Sequence, residues 1–224
     1  YISGGHIPKI LMAPSVSGHT LLTTIIEKHF SLWKSLKTPE NLNAVQTYLA
    51  ARFKIDPHKS LDREESIAIY ERFEYEERQS KYVVNGQRNY EFLGLNWLLP
   101  FWQSDVVRFW RDVPLDVKYR QKLYRAALEA WNYGGIFKDI KTTVCHWPGM
   151  MRAILGPSRL LRLTFGPSVR DAYLKRMLYF GLYHDQYAPF GYINFLRHSS
   201  DLRNPVSLLS RAWLADLNMP SFQK

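Results

Sequence analysis

A single cysteine, Cys145, in 224 residues leaves no internal disulfide and no zinc site built from thiolates alone. The seven histidines (His6, His19, His29, His58, His146, His184, His198) never stand two or four positions apart, so no paired-histidine metal motif is present. Cys145 and His146 are adjacent and could share one ion only with ligands from elsewhere in the chain, so no metal site is expected. Apolar runs are short and broken by charges, so no membrane-spanning helix is visible. No signal-peptide pattern opens the chain, and a cytoplasmic address fits. The first residue is Tyr1 rather than methionine, in the middle of what reads as a motif, so an incomplete chain is expected.

Acidic residues are scarce beside basic ones. Twenty Asp and Glu stand against 30 Lys and Arg, a formal charge of +10 that favours anionic partners: nucleic acid, an acidic membrane, or small molecules bearing phosphate. No Lys/Arg block exceeds two in a row, so much of this charge reads as scattered solvated surface. Also missing is any run of β-branched residues that would serve as a central strand. Every long periodic signal is helical, and the expected fold is mainly α.

Helices account for most of what is present. Leu21, Leu22, Ile25, Ile26, His29, Phe30 and Trp33 fall on one stripe at helical spacing. Thr38, Pro39 and Glu40 supply a cap, a proline at the first helical position and an acid in the first turn. The helix they open should bury Leu42, Val45, Leu49 and Phe53 and end near Asp56 and Pro57. Asp62 and Glu65 form a capping box for a third helix. Its many glutamates, Glu64 through Glu77, interleave with Arg63, Arg72 and Arg78, and they read as exposed pairs four residues apart.

From Tyr82 to Leu93, Tyr82, Val83, Tyr90, Phe92 and Leu93 are the apolar contacts, and Gly94 is a left-handed stop. Leu95 to Pro100 reads as extended. A helix over residues 105–112 should pack Val106, Val107, Phe109 and Trp110. The next should pack Leu123, Tyr124, Ala127, Leu128 and Trp131, leaving Lys122, Arg125 and Glu129 on another face. Residues 138–148 and 184–191 read as loops. Ser168 with Asp171 starts a further helix, and Asn204 with Pro205 opens a last one with Leu209 and Trp213 facing inward.

The order of these pieces, from Lys81 through Gly94 and Leu95 to Pro100, Phe101 and Trp102, then Pro114 to Lys118 and Lys122 to Arg125, resembles the C-terminal half of the asparagine synthase domain. That family reads roughly Arg-x-x-Met-x-x-Gly-Leu-Glu-x-Arg-x-Pro-Phe-Leu-Asp, a helix, Pro-x-x-x-Lys, and a basic helix. Its relatives in surface-sugar gene clusters carry a Gly-Gly-His-Ile-Pro run similar to Gly4, Gly5, His6, Ile7 and Pro8. The resemblance covers roughly residues 1–131. It implies the helical C-terminal portion of an asparagine synthase-like α/β domain over residues 1–147, with a helical extension over residues 148–224.

The same resemblance implies an ATP-dependent ligase that adenylates a carboxylate and amidates it with ammonia. A glutaminase domain or subunit would supply the ammonia. A positioned cation stabilises charge on the transferring phosphoryl group, and the resemblance gives that catalytic place to Lys122. Gly4, Gly5, His6, Arg88 and Arg125 are the implied ATP- and substrate-binding residues, with ATP and Mg as cofactors of the complete protein. Family Glu, Arg and Asp positions are Asn96, Leu98 and Gln103 here, which suits a divergent member acting on a sugar or other small carboxylate. The Ser-Gly-Gly-x-Asp-Ser pyrophosphate loop is absent from these residues, so the N-terminal portion that carries it would be a required partner and the piece alone should be inactive. The alternative is a basic helical binding or scaffold module without catalysis. Nucleic acid is disfavoured, because no helix-turn-helix, zinc or aromatic RNA-binding signature occurs.

Overall fold

The stripe of Leu21, Leu22, Ile25 and Ile26 forms one face of helix α1 (Gly18–His29), and all four are buried. At about 1.5–3 kcal/mol for each buried aliphatic side chain, this face is a main source of core stability. The computed structural model describes residues 4–137, 148–183, 192–203 and 205–219, and these are predominantly helical. They divide into two compact units, Tyr1–Lys28 with Asn43–Ile140, and His29–Leu42 with Lys141–Lys224. No helix among the described residues is long and apolar enough to cross a membrane.

In the first unit, two short strands, β1 (Ser15–Ser17) and β2 (Ser60–Asp62), pair antiparallel with Val16 opposite Leu61, both buried. Gly18 fits beneath them because a Cβ there would lie 2.0 Å from the Asp56 carbonyl oxygen. Helix α2 (Pro39–Phe53) buries Leu49 and Phe53, while Leu42 and Val45 are half-buried. The Phe53 ring meets Phe73 edge-on at 5.7 Å. Helix α3 (Arg63–Phe73) is capped as its sequence anticipates: Asp62 Oδ1 accepts from the Glu65 N–H at 2.8 Å.

Helix α3 does not stop at Phe73. It continues as an 11-residue π-helix, Glu74–Val84. Helix α4 (Arg88–Phe92) follows and ends at Gly94 with φ 70°. Beyond an irregular stretch and a 3₁₀ turn at Pro100–Trp102 come α5 (Ser104–Asp112), α6 (Leu115–Lys118) and α7 (Lys122–Trp131). The apolar contacts anticipated for this region are corrected in part. Phe92 and Leu93 are exposed, and Trp131 is 78% exposed. These short helices bury one edge only, so Trp110 and Val113 go inside while Phe109 stays out.

In the second unit, α8 (Pro148–Phe165) packs on α9 (Pro167–Tyr183), with α10 (Tyr192–His198) and α11 (Pro205–Asp216) completing it. Residues His29–Leu42, which include the first turn of α2, belong here. The α1 stripe was expected to run on to Trp33, but the helix ends at His29. Trp33 instead forms a β-bridge with Leu202 and donates its indole N–H to the Ser207 carbonyl at 3.0 Å. In α11 beside that contact, Ser207 and Leu208 are buried, and Leu209 and Trp213 face outward, opposite to expectation. Asp201 accepts from the Ser35 N–H at 2.6 Å and pairs with Arg211 at 3.2 Å. Of the loops anticipated at 138–148 and 184–191, Pro148 instead opens α8, and the rest, with Cys145 and His146, lie outside the described residues.

Candidate functional site

The α3–π helix forms one wall of a cavity of about 680 Å³ in the first unit. Tyr70, Glu71, Glu74, Tyr75, Gln79 and Val83 all line it. In an α-helix each four-residue step overshoots a turn by about 40°, so Val83 would drift about 120° from Glu71. The wider i→i+5 turn removes most of that drift. The π geometry is thus what keeps residues 71, 75, 79 and 83 on one face. The facing wall is apolar and aromatic, running from Leu98 to Trp102 with Trp110 of α5 and Tyr124 of α7. Tyr75 stacks on Trp102 with ring centres 4.7 Å apart.

Two lysine–glutamate pairs hold the polar end. Lys118 is buried and donates to Glu71 Oε2 at 2.6 Å. Lys28 pairs with Glu74 Oε1 at 3.1 Å, donates to the His6 carbonyl at 2.6 Å and also donates to the Tyr70 hydroxyl oxygen. The Tyr70 hydroxyl in turn donates to Glu74 Oε1 at 2.6 Å. Arg78 stands 3.6 Å from Glu74 Oε2. Two polar atoms at this end have no hydrogen-bond partner among the described residues, Glu71 Oε1 and Gln79 Nε2. Such atoms cost about 1–3 kcal/mol each when buried and unsatisfied, so a polar group entering the cavity would gain most at this face.

Protonation follows from burial. Burial pushes the Glu71 carboxyl above its ordinary range, and Lys118 offsets only part of the rise. Burial and the hydrogen bond to the Glu74 carboxylate push the Tyr70 hydroxyl far up. Burial lowers His6 to about 4, with Glu74 opposing and Arg78 and Lys28 adding to the fall, so its imidazole is neutral at pH 7.

The rim of the cavity is where the opening glycines sit. Gly4 has φ 81°, its carbonyl accepts from the Arg120 N–H at 3.2 Å, and a Cβ on it would lie 2.2 Å from the Lys118 carbonyl oxygen. A Cβ on Gly5 would lie 2.9 Å from Gln121 Cδ. Arg120 (φ 57°) and Gln121 (φ 60°) are successive left-handed residues without being glycine, at about 1–2 kcal/mol each. The packing of the glycine turn holds them in that conformation, and α7 starts immediately after them at Lys122.

Of the residues singled out from sequence, Gly5 and His6 line the cavity and Gly4 packs beside them. Lys122 and Arg125 are exposed on α7 and do not line it, although Gln121 and Tyr124 between and before them do. Arg88 is elsewhere on the surface, its side chain 71% exposed and paired with Glu91 at 3.3 Å. Reasoning from sequence gave no site role to Lys28, Tyr70, Gln79 and Lys118, and it read Glu71 and Glu74 as exposed pairs. A signal existed: Glu71 and Glu74 stand four and seven positions after buried Ile67, on the inward stripe of α3.

The donors do not suit Mg²⁺. Among the described residues no group of three or more His, Cys, Asp or Glu converges, and both cavity carboxylates are engaged by lysine. No protein-family model matches the chain, and no curated protein and no solved structure matches it.

Proposed function

We propose that the first unit is the acceptor side of an ATP-dependent carbon–nitrogen ligase resembling the asparagine synthases. One observation carries this reading. The Gly4–Gly5 turn and the Lys118–Gln121 segment that leads into the Lys122 helix are more than a hundred residues apart in sequence, and they interlock at the rim of a ligand-sized cavity. The resemblance assigns these same two pieces to one site. ATP would activate the acceptor carboxylate as its adenylate. This chain would position the acceptor between the aromatic wall and the Glu71–Gln79 face, with Lys122, exposed on α7 next to the lining residue Gln121, offering its charge to the reacting phosphate. The Ser-Gly-Gly-x-Asp-Ser loop and any Mg²⁺ site would come from outside these residues.

The test is Lys122→Ala in the full-length gene product, followed by pyrophosphate release with candidate carboxylates. Lys122 is exposed, so folding should be untouched. Loss of a charge stabilising the transition state lowers turnover by about a hundredfold or more. Unchanged turnover would refute the role of Lys122, and no pyrophosphate release by the unaltered protein would refute the ligase reading.

A further inference from the structure

The basic charge of this chain is unevenly distributed. From residue 141 to the end there are eleven Lys and Arg against four Asp and Glu, whereas the first 140 residues hold 19 against 16. Helix α8 has no acidic residue in its 18 positions. Its inner face is marked by Ile154 at 5% and Ser158 at 1% exposure. At about 100° per residue, Arg152, Arg159 and Leu163 lie on the opposite arc, flanked by Leu155 and Arg162 on one side and Leu160 on the other. All six are exposed, Leu160 at 63% and Leu163 at 84%. None of the three arginines forms an ion pair among the described residues.

We infer that the outer face of α8 docks on an anionic phospholipid surface, lying in the plane of the interface. The charge complementarity is one-sided: cations without intervening carboxylates attract acidic headgroups. The large residues among them are aliphatic. Leucines inserted at the acyl boundary lose contact with water, and arginine stems reach back to the phosphates. A nucleic acid would leave those leucines in water, because its sites pair cations with stacking aromatics. The helix lies on the bilayer without crossing it, consistent with its length and polarity. This inference is independent of the ligase reading.

The experiment is co-flotation of the 224-residue chain with phosphatidylcholine vesicles, with and without about 30 mol% phosphatidylserine at about 0.15 M salt. The chain should float only with the acidic vesicles. Arg159→Gln with Arg162→Gln should weaken binding about thirtyfold, and Leu160→Asp with Leu163→Asp about tenfold or more. Far-UV spectra and melting curves should not change, since all four positions face out. Leu163→Ser is the fallback should the double aspartate variant misfold, and it should weaken binding in the same direction. Equal flotation with neutral vesicles, no flotation at all, or variants that bind like the parent would overturn the inference. So would a preference for duplex DNA or RNA that survives the leucine substitutions.

Discussion

Replacing Lys118 by methionine keeps most of the apolar stem of the side chain and removes the ammonium group that donates to Glu71. The Lys118 side chain is 5% exposed and that of its partner Glu71 is 19% exposed. Glu71 Oε1 already lacks a hydrogen-bond partner, so the substitution leaves both oxygens of a buried carboxylate unsatisfied. Removing one member of a buried pair costs about 3–5 kcal/mol, and the partial exposure of Glu71 points to the lower end, about 3 kcal/mol. The carboxyl can escape part of this by taking up a proton. Its acidity is already weakened by burial, and losing Lys118 removes the influence that opposes burial. A carboxyl whose folded pKa exceeds its unfolded one stabilises the fold below the unfolded pKa, and that benefit is lost as pH rises through the folded value. The deficit should therefore be larger at pH 8 than at pH 5, and more so in the variant than in the parent. Urea unfolding followed by circular dichroism at both pH values gives the numbers. Lys118→Met combined with Glu71→Leu removes both charges and should return to within about 1 kcal/mol of the parent. A single variant that loses less than about 1 kcal/mol, or a double variant no better than the single, would refute the buried-pair account.

Three further outcomes follow from the same structure. The His6 imidazole has its folded pKa lowered to about 4, so its contribution is present at neutral pH and lost as pH falls from the usual 6.5 toward that value. His6→Gln should flatten the melting temperature over this window, and a profile that stays as steep would count against the assignment. Asp62→Ala removes the α3 cap and should cost about 1 kcal/mol in urea titrations, whereas Asp62→Asn should cost little. Gly4→Ala meets both a left-handed φ and the Lys118 carbonyl and should severely destabilise the first unit. Gly94→Ala meets open space, so only the conformational penalty of about 1 kcal/mol applies; equal losses at the two sites would remove the claimed crowding at Gly4.

Much of the local structure could be read from neighbouring residues. The inward stripe of α1, the Asp62 cap, the proline starts of α2 and α11 and the left-handed stop at Gly94 each depend on side chains within a turn or two of one another. The Gly4–Gly5 turn entered the sequence reading only through the resemblance, as implied binding residues. What it approaches was not legible, because Lys118 to Gln121 are over a hundred residues away. The glutamates of the third helix illustrate the limit best. Pairing four residues apart describes Arg72 with Glu76, Lys81 with Glu77 and Arg78 with Glu74, but Glu71 and Glu74 also turn inward to Lys118 and Lys28.

By itself, then, the sequence determined that this chain is helical, where several helices begin, and which faces of the earliest ones are apolar, since a cap or a stripe is an interaction among near neighbours. The tertiary structure alone decided that the α3 helix widens into a π-helix, that two carboxylates meet two lysines beside an aromatic wall, and that α11 turns Ser207 and Leu208 inward where Trp33 meets it. Those outcomes depend on which distant partner satisfies a buried polar group. Such a choice is made by burial as the chain packs, and no spacing along the chain encodes it.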